Sequence, residues 1–324
     1  MGPLLKRRAG SGAFLRVALT GPFLLLLPAC GGAAAPPAPA PGPGRPPADL
    51  VYERVVDGNQ DLYLMPADGG PERRLTDDPA TDGLPRFFPD GRRVLFASER
   101  SGRWQLWEVD IEGGEARRVR ANANRELQAD VSPDGRRLAL LSNPGGHEAL
   151  WIVDLVSGAE RALVRHGRRT VMGNPHWSAG GTRIVFSSNW RIGHQIYVVD
   201  AATGGERRVS GLTGGGCEPR FSPDGSRVAY VSRGHRRPTS RLVEHDLAAG
   251  TETVLIDWPA LNYDPVYSPD GSEVAFASDV AGGWAVYRYR LADGKSWRVT
   301  FGPPARYPDY RPSGARPTPG KTGS

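Results

Sequence analysis

One short pattern recurs along this chain and restricts what it can fold into. Turn tetrads stand at Phe88-Pro89-Asp90-Gly91, Ser132-Pro133-Asp134-Gly135, Ser178-Ala179-Gly180-Gly181, Ser222-Pro223-Asp224-Gly225 and Ser268-Pro269-Asp270-Gly271. A degenerate sixth is Arg311-Pro312-Ser313-Gly314, and the tetrads follow one another every 43 to 46 residues. Pro presets φ, Asp can bond the backbone ahead, and Gly accepts positive φ, so each tetrad reads as a tight turn between two strands. A period of this length suits a four-stranded propeller blade.

Around each turn the same order of strands repeats. A short strand ends on a large apolar residue (Phe87, Val131, Trp177, Phe221, Tyr267, Tyr310). After the turn comes an apolar run such as Val94-Leu95-Phe96-Ala97 or Val274-Ala275-Phe276-Ala277, as expected of a strand buried on both faces. A third strand alternates and closes on an acid, as in Ile196-Tyr197-Val198-Val199-Asp200. The fourth is Arg-rich, as in Arg207-Arg208-Val209, and charge on an outermost strand discourages edge-to-edge pairing. The first unit, from Leu50 to Thr76, lacks its first strand, and the segment around Tyr310 supplies only that piece. The expectation is an all-β, six-bladed β-propeller of four-stranded antiparallel blades over residues 49–314, closed by pairing of its two chain ends in blade one.

The pattern Pro-x-(Phe/Trp)-Ser-Pro-Asp-Gly, apolar strand, (Ile/Leu)-(Tyr/Trp)-x-(Val/Met)-Asp, Arg-(Leu/Val)-Thr resembles the WD40-like repeats of the TolB propeller family. The resemblance covers residues 50 to 314. It implies the propeller and leaves function open, because the repeat also serves periplasmic scaffolds, peptidase caps and oligogalacturonate lyases. The α/β domain that precedes the propeller in TolB-like proteins has no counterpart in the 18 residues available for it. The Gly-x-Ser-x-Gly elbow of the peptidases is absent from the sequence.

The N-terminal 30 residues read as an address. A basic start (Lys6, Arg7, Arg8) leads into an apolar stretch too short for a spanning helix, then Leu27-Pro28-Ala29-Cys30. That ending resembles the lipobox of bacterial lipoproteins and implies lipidation of Cys30; an ordinary secretory signal is the alternative. Gly31 after the Cys suggests the outer membrane of a Gram-negative bacterium. Residues 31–48 hold seven prolines and read as an extended tether, and 315–324 as a disordered tail. Four of the cations behind the net charge of +6 lie in the leader, so the remainder carries only +2 and nucleic acid is not an expected partner. The expected partners are an envelope protein or an anionic glycan, with the membrane touched only through the lipid and the chain monomeric.

Two places are candidates for function. The short Pro-Asp-Gly turns look structural, whereas the longer connections on the opposite face carry Arg100, Arg103, Arg165, His166, Arg168, Arg169, Arg191, His194, Arg233, His235, Arg236 and Arg237 beside Trp104 and Trp190. They suit an acidic partner or are solvated arginines. The second place is the channel mouth. Alternation along the first strands brings together Gln128 and Asp130, Asn174 and His176, Glu218 and Arg220, with Asp264, Arg86 and Asp309. These line water, or hold a small ligand or cation with Glu218 and Asp264 as oxygen ligands. The runner-up to a binding scaffold is an enzyme like the oligogalacturonate lyases, with a metal near His176, His194 and His235 projecting on one face. No compact metal-ligand spacing supports it, and the reading calls for no catalytic residue, no metal and no cofactor. Cys217 reads as a small buried hydrophobe.

Overall fold

The computed structural model describes residues 49–313, except 123, 145, 168, 191–192, 212–214 and 234–238. Among the described residues, twenty-four strands form six four-stranded antiparallel sheets. Blade one contains β1 (Asp49–Val56), β2 (Asn59–Pro66) and β3 (Arg73–Arg74). Blade two is β4 (Asp82–Phe87), β5 (Arg93–Ser98), β6 (Gln105–Asp110) and β7 (Arg117–Arg118). Blade three is β8 (Glu126–Val131), β9 (Arg137–Ser142), β10 (Ala149–Asp154) and β11 (Glu160–Val164). Blade four is β12 (Met172–Trp177), β13 (Arg183–Ser188), β14 (Gln195–Asp200) and β15 (Glu206–Arg208). Blade five is β16 (Gly216–Phe221), β17 (Arg227–Arg233), β18 (Ser240–Asp246) and β19 (Glu252–Ile256). Blade six is β20 (Asn262–Tyr267), β21 (Glu273–Ser278), β22 (Ala285–Arg290) and β23 (Ser296–Arg298), and β24 (Ala305–Tyr310) returns to blade one.

The order β24-β1-β2-β3 is the predicted closure, with Leu50 opposite Tyr310 and Val51 opposite Asp309. Pairing the two ends removes the open edges that a linear stack would leave. Arg54 reinforces the join: its side chain is 1 % exposed, and its Nη1 donates to the carbonyls of Phe301 (2.8 Å) and Pro303 (3.1 Å) just ahead of β24.

The core is divided among the sectors between blades. Val51, Leu62 and Leu75 of blade one pack on Phe87, Val94 and Phe96 of blade two. Leu141 and Leu150 of blade three meet Trp177 and Phe186 of blade four, and Tyr52 and Met65 meet Val286 and Trp297 across the closure. The second strands are sealed on both faces, which is why they read as unbroken apolar runs.

The six innermost strands share one irregularity. In β4, Gly83 faces Ala97 and Arg86 faces Leu95, so three steps on the inner strand oppose two on its partner. The same extra residue occurs in β8, β12, β16, β20 and β24. It is a β-bulge, and in five blades a residue just ahead of Pro takes positive φ: Leu84 (56°), Asn174 (50°), Glu218 (56°), Asp264 (56°) and Tyr307 (50°). Blade three, with Ala129 in place of Pro, keeps the bulge without the positive φ.

Candidate functional site

The bulges determine where the channel residues go. They turn the backbone N–H of the residue before Pro toward the preceding blade, where a side chain accepts it. Asn174 N–H donates to Gln128 Oε1 (2.7 Å), Asp264 N–H to Glu218 Oε2 (2.7 Å) and Tyr307 N–H to Asp264 Oδ2 (3.3 Å). At blade two the acceptor is Glu53 of β1, which takes the Leu84 N–H at 3.0 Å. A second tier follows the prolines. Phe87 N–H donates to Asp309 Oδ2 (2.7 Å), Trp177 N–H to Asp130 Oδ2 (2.7 Å) and Phe221 N–H to His176 Nδ1 (3.2 Å). Each link fastens one blade to the next and satisfies a backbone donor that the bulge leaves outside its own ladder.

This separates residues that simple alternation would place together. Asn174, Glu218 and Asp264 belong to the first tier. Arg86, Asp130, His176, Arg220 and Asp309 belong to the second, nearer the Pro-Asp-Gly turns. Gln128 forms a narrow crevice with Arg86 and Asn174. The expectation that alternation brings these residues together at one channel mouth is therefore corrected: one extra residue per strand resets the side-chain period. His194 lies in the β13–β14 connection, on the face away from His176, so these two histidines do not converge as the lyase-like reading required. Arg191 and His235 lie outside the described residues, as do Arg168, Arg236, Arg237, Cys30 and Gly314, the last position of the predicted propeller range.

The second tier walls a cavity of about 480 Å³ on the axis. Asp130, His176, Arg220 and Asp309 form its sides, and Pro89, Pro133, Ala179, Pro223, Pro269 and Pro312 its rim. The turns that look structural in the sequence thus encircle a cavity that carries charged groups among apolar ones. Burial pushes the carboxyls of Asp130 and Asp309 up to about 6, with Arg86 opposing the shift in each case. Burial, aided by Arg86, lowers His176 to about 4, so its imidazole is neutral and Nδ1 can accept the Phe221 N–H. Arg220 is only 5 % exposed, and its Nη1 donates to its own neighbour, the Pro219 carbonyl, at 3.1 Å. Among the described residues no carboxylate stands within 4 Å of it.

The first tier holds a second charged group. Arg306 pairs with Asp264 (3.0 Å) and stacks on Trp284 (4.4 Å). Burial and the nearby Asp264 push Glu218 well above the ordinary carboxylate range, and burial takes Glu53 to about 7. Glu218 and Asp264 are thus engaged with each other and with Arg306. Glu53 carries no signal in the sequence. Arg306 does: it stands one position ahead of the bulge, where the other blades carry Gly83, Leu127, Gly173, Cys217 or Tyr263.

The basic loops are also partly internal. Arg100 is held by Asp82 (2.6 Å), and Arg165 lies over Trp151 (4.8 Å). His166 is buried against Trp190 and Glu206. Cys217 is free and partly buried, and burial raises its thiol far above the usual range.

Fold and site together define a closed six-bladed propeller with two inter-blade hydrogen-bonded tiers and an axial cavity walled in part by charged residues. A family model described as the TolB beta propeller domain matches residues 32–167 and 149–316, and the chain belongs to this family. The Tol-Pal system protein TolB of Bordetella pertussis is 43% identical over 49 residues, 15% of this chain and 11% of that protein. The aligned stretches cover about a fifth or less of the curated relatives' lengths. The crystal structure of TolB from Acinetobacter baumannii superposes with a TM-score of 0.71 at 17% identity, over 82% of this chain and 67% of that one. An oligogalacturonate lyase in complex with manganese gives 0.53 at 18% identity, over 78% and 73%. At these identities the superpositions show the fold alone.

Proposed function

We propose that this chain is a protein-binding scaffold of the bacterial envelope whose axial mouth receives a carboxylate-bearing segment of a partner. Arg220 carries the reading. A guanidinium so fully buried, aimed into a cavity and lacking a carboxylate within 4 Å among the described residues is poised for an anionic group from outside. Arg86 likewise donates to its own neighbour, the Pro85 carbonyl, but it acts electrostatically on Asp130 and Asp309 and does not line the cavity, which leaves Arg220 as the guanidinium that faces it. The rim supports the same reading, because five short turns within blades two to six give a rigid mouth with little ordering cost on binding.

The test is a photo-crosslinking residue at Ala179, compared with one on an outer strand, in the producing bacterium. The expected result is a discrete adduct from the rim position only, lost with Arg220→Met at an unchanged melting temperature. No adduct, or one indifferent to Arg220→Met, overturns the proposal.

The same proposal includes the anchor. Residues 1–30 act as a leader ending at a lipidated Cys30, 31–48 as the tether, 49–314 as the propeller and 315–324 as the tail. A lipid anchor and a Pro-rich spacer would hold a monomeric binding domain off the outer membrane on its periplasmic side. Cys30→Ala is expected to release the protein into the soluble fraction, and continued sedimentation with membranes would refute the anchor.

A further inference from the structure

Three blades start their second-to-third connection in the same way. A serine at the end of the second strand accepts the backbone N–H two residues on: Ser98 from Arg100 (3.2 Å), Ser188 from Trp190 (3.2 Å) and Ser278 from Val280 (3.3 Å). In blade two that position is occupied by an arginine paired with Asp82. In blade four it is a tryptophan, 39 % exposed.

Trp190 is held from beneath. His166, with its side chain 3 % exposed, stacks on it at 4.2 Å and 14°. The two imidazole nitrogens are both engaged, Nδ1 with Ser188 Oγ at 3.0 Å and Nε2 with both oxygens of Glu206 at 3.1 Å. One buried ring therefore fixes an aromatic plane and a carboxylate together. Trp190, Tyr197, Glu206 and Arg208 line an open groove of about 570 Å³ beside them.

We infer that this groove is a saccharide-binding subsite for a pyranose ring, separate from the axial cavity. A pyranose presents an apolar C–H face, which a fixed indole matches, and a rim of hydroxyls, which need acceptors and donors side by side. Glu206 accepts and Arg208 donates. A simple cation would gain from Trp190 and Glu206 but meet Arg208, and a simple anion would meet Glu206. Groups of both signs beside one aromatic plane suit a polyhydroxylated ring, and the open groove has room for more than one.

The test is calorimetric titration of the full chain with di-N-acetylchitobiose and with trigalacturonate, which separates a neutral from an anionic source of the ring. Saturation-transfer NMR would read contact to ring C–H protons. Binding of either sugar is expected to weaken about tenfold or more in Trp190→Ala and to stay within about threefold in Trp190→Phe, which keeps an aromatic face. Arg220→Ala is expected to leave it unchanged. Preference for trigalacturonate would mean that Arg208 reads a carboxylate, and preference for chitobiose that hydroxyl and amide contacts dominate. Failure of both sugars to bind at millimolar concentration, or binding indifferent to Trp190→Ala, overturns the subsite.

Discussion

The carboxylate of Asp309 accepts the backbone N–H of Phe87 at 2.7 Å, joining residues 222 positions apart. Asp309 lies on β24, the strand that completes blade one, and Phe87 ends the inner strand of blade two. The contact ties the closing strand to the next blade as well as to its own. Asp309→Ala would leave a buried N–H without its acceptor. A loss of about 1–3 kcal/mol in urea unfolding is expected, with Asp309→Asn losing less because its amide oxygen can still accept. Equal losses for the two variants would mean that the link contributes nothing beyond packing.

The buried titratable groups of the channel give opposing pH dependences. Asp130 and Asp309 are raised to about 6 and Glu53 to about 7. The folded chain holds protons that the unfolded chain has released. Their stabilisation is full below about pH 4 and is lost as pH rises through 6 to 7. His176, lowered to about 4, acts the other way: its imidazole charges below about pH 6.5 when unfolded but not when folded, so stability is lost as pH falls from 6.5 to 4. Between pH 7 and pH 4.5, Asp309→Asn should therefore gain less stability, or lose more, than the parent. His176→Gln should gain more. Denaturant titrations at the two pH values check both signs.

The reach of the sequence can be judged at two positions. Tyr310 was assignable to blade one because turn chemistry is local: Arg311-Pro312-Ser313-Gly314 keeps enough of the tetrad to mark a first strand, and blade one lacked one. Alternation puts His176 in the wrong tier, because its direction depends on one extra residue ahead of it. The clue was in the prolines. Pro85, Pro175, Pro219, Pro265 and Pro308 each sit inside an inner strand, where Pro marks a bulge or an edge. The groove at Trp190 was harder to see, since His166 and Glu206 are 40 residues apart and belong to different blades' segments.

Arg54 offers a separate test of ring closure. Its guanidinium reaches Glu72 at 2.9 Å as well as the two carbonyls ahead of β24, and Glu72 also takes the Tyr52 hydroxyl. Arg54→Met removes the donor and strands the carbonyls, for an expected loss of about 3 kcal/mol, the lower end for a broken buried pair because Glu72 can still reach water. Adding Glu72→Gln should then cost little more, which a double-mutant cycle would reveal as coupling between the two sites.

The bulge itself can be tested at Asn174, which holds φ of 50° while its N–H donates to Gln128. Asn tolerates the left-handed region better than most residues, and Gly enters it freely. A β-branched side chain does not, because its two γ atoms crowd the backbone there. Asn174→Gly is therefore expected to change stability by less than about 1 kcal/mol, and Asn174→Val to cost about 2 kcal/mol or more. The amide proton of residue 174 would report the mechanism. It should stay protected from exchange in the Gly variant, where the hydrogen bond to Gln128 survives, and lose protection in the Val variant, where the chain must leave positive φ and carry the N–H away from its acceptor. If Val is tolerated with protection intact, positive φ at this position is not what holds blade four to blade three.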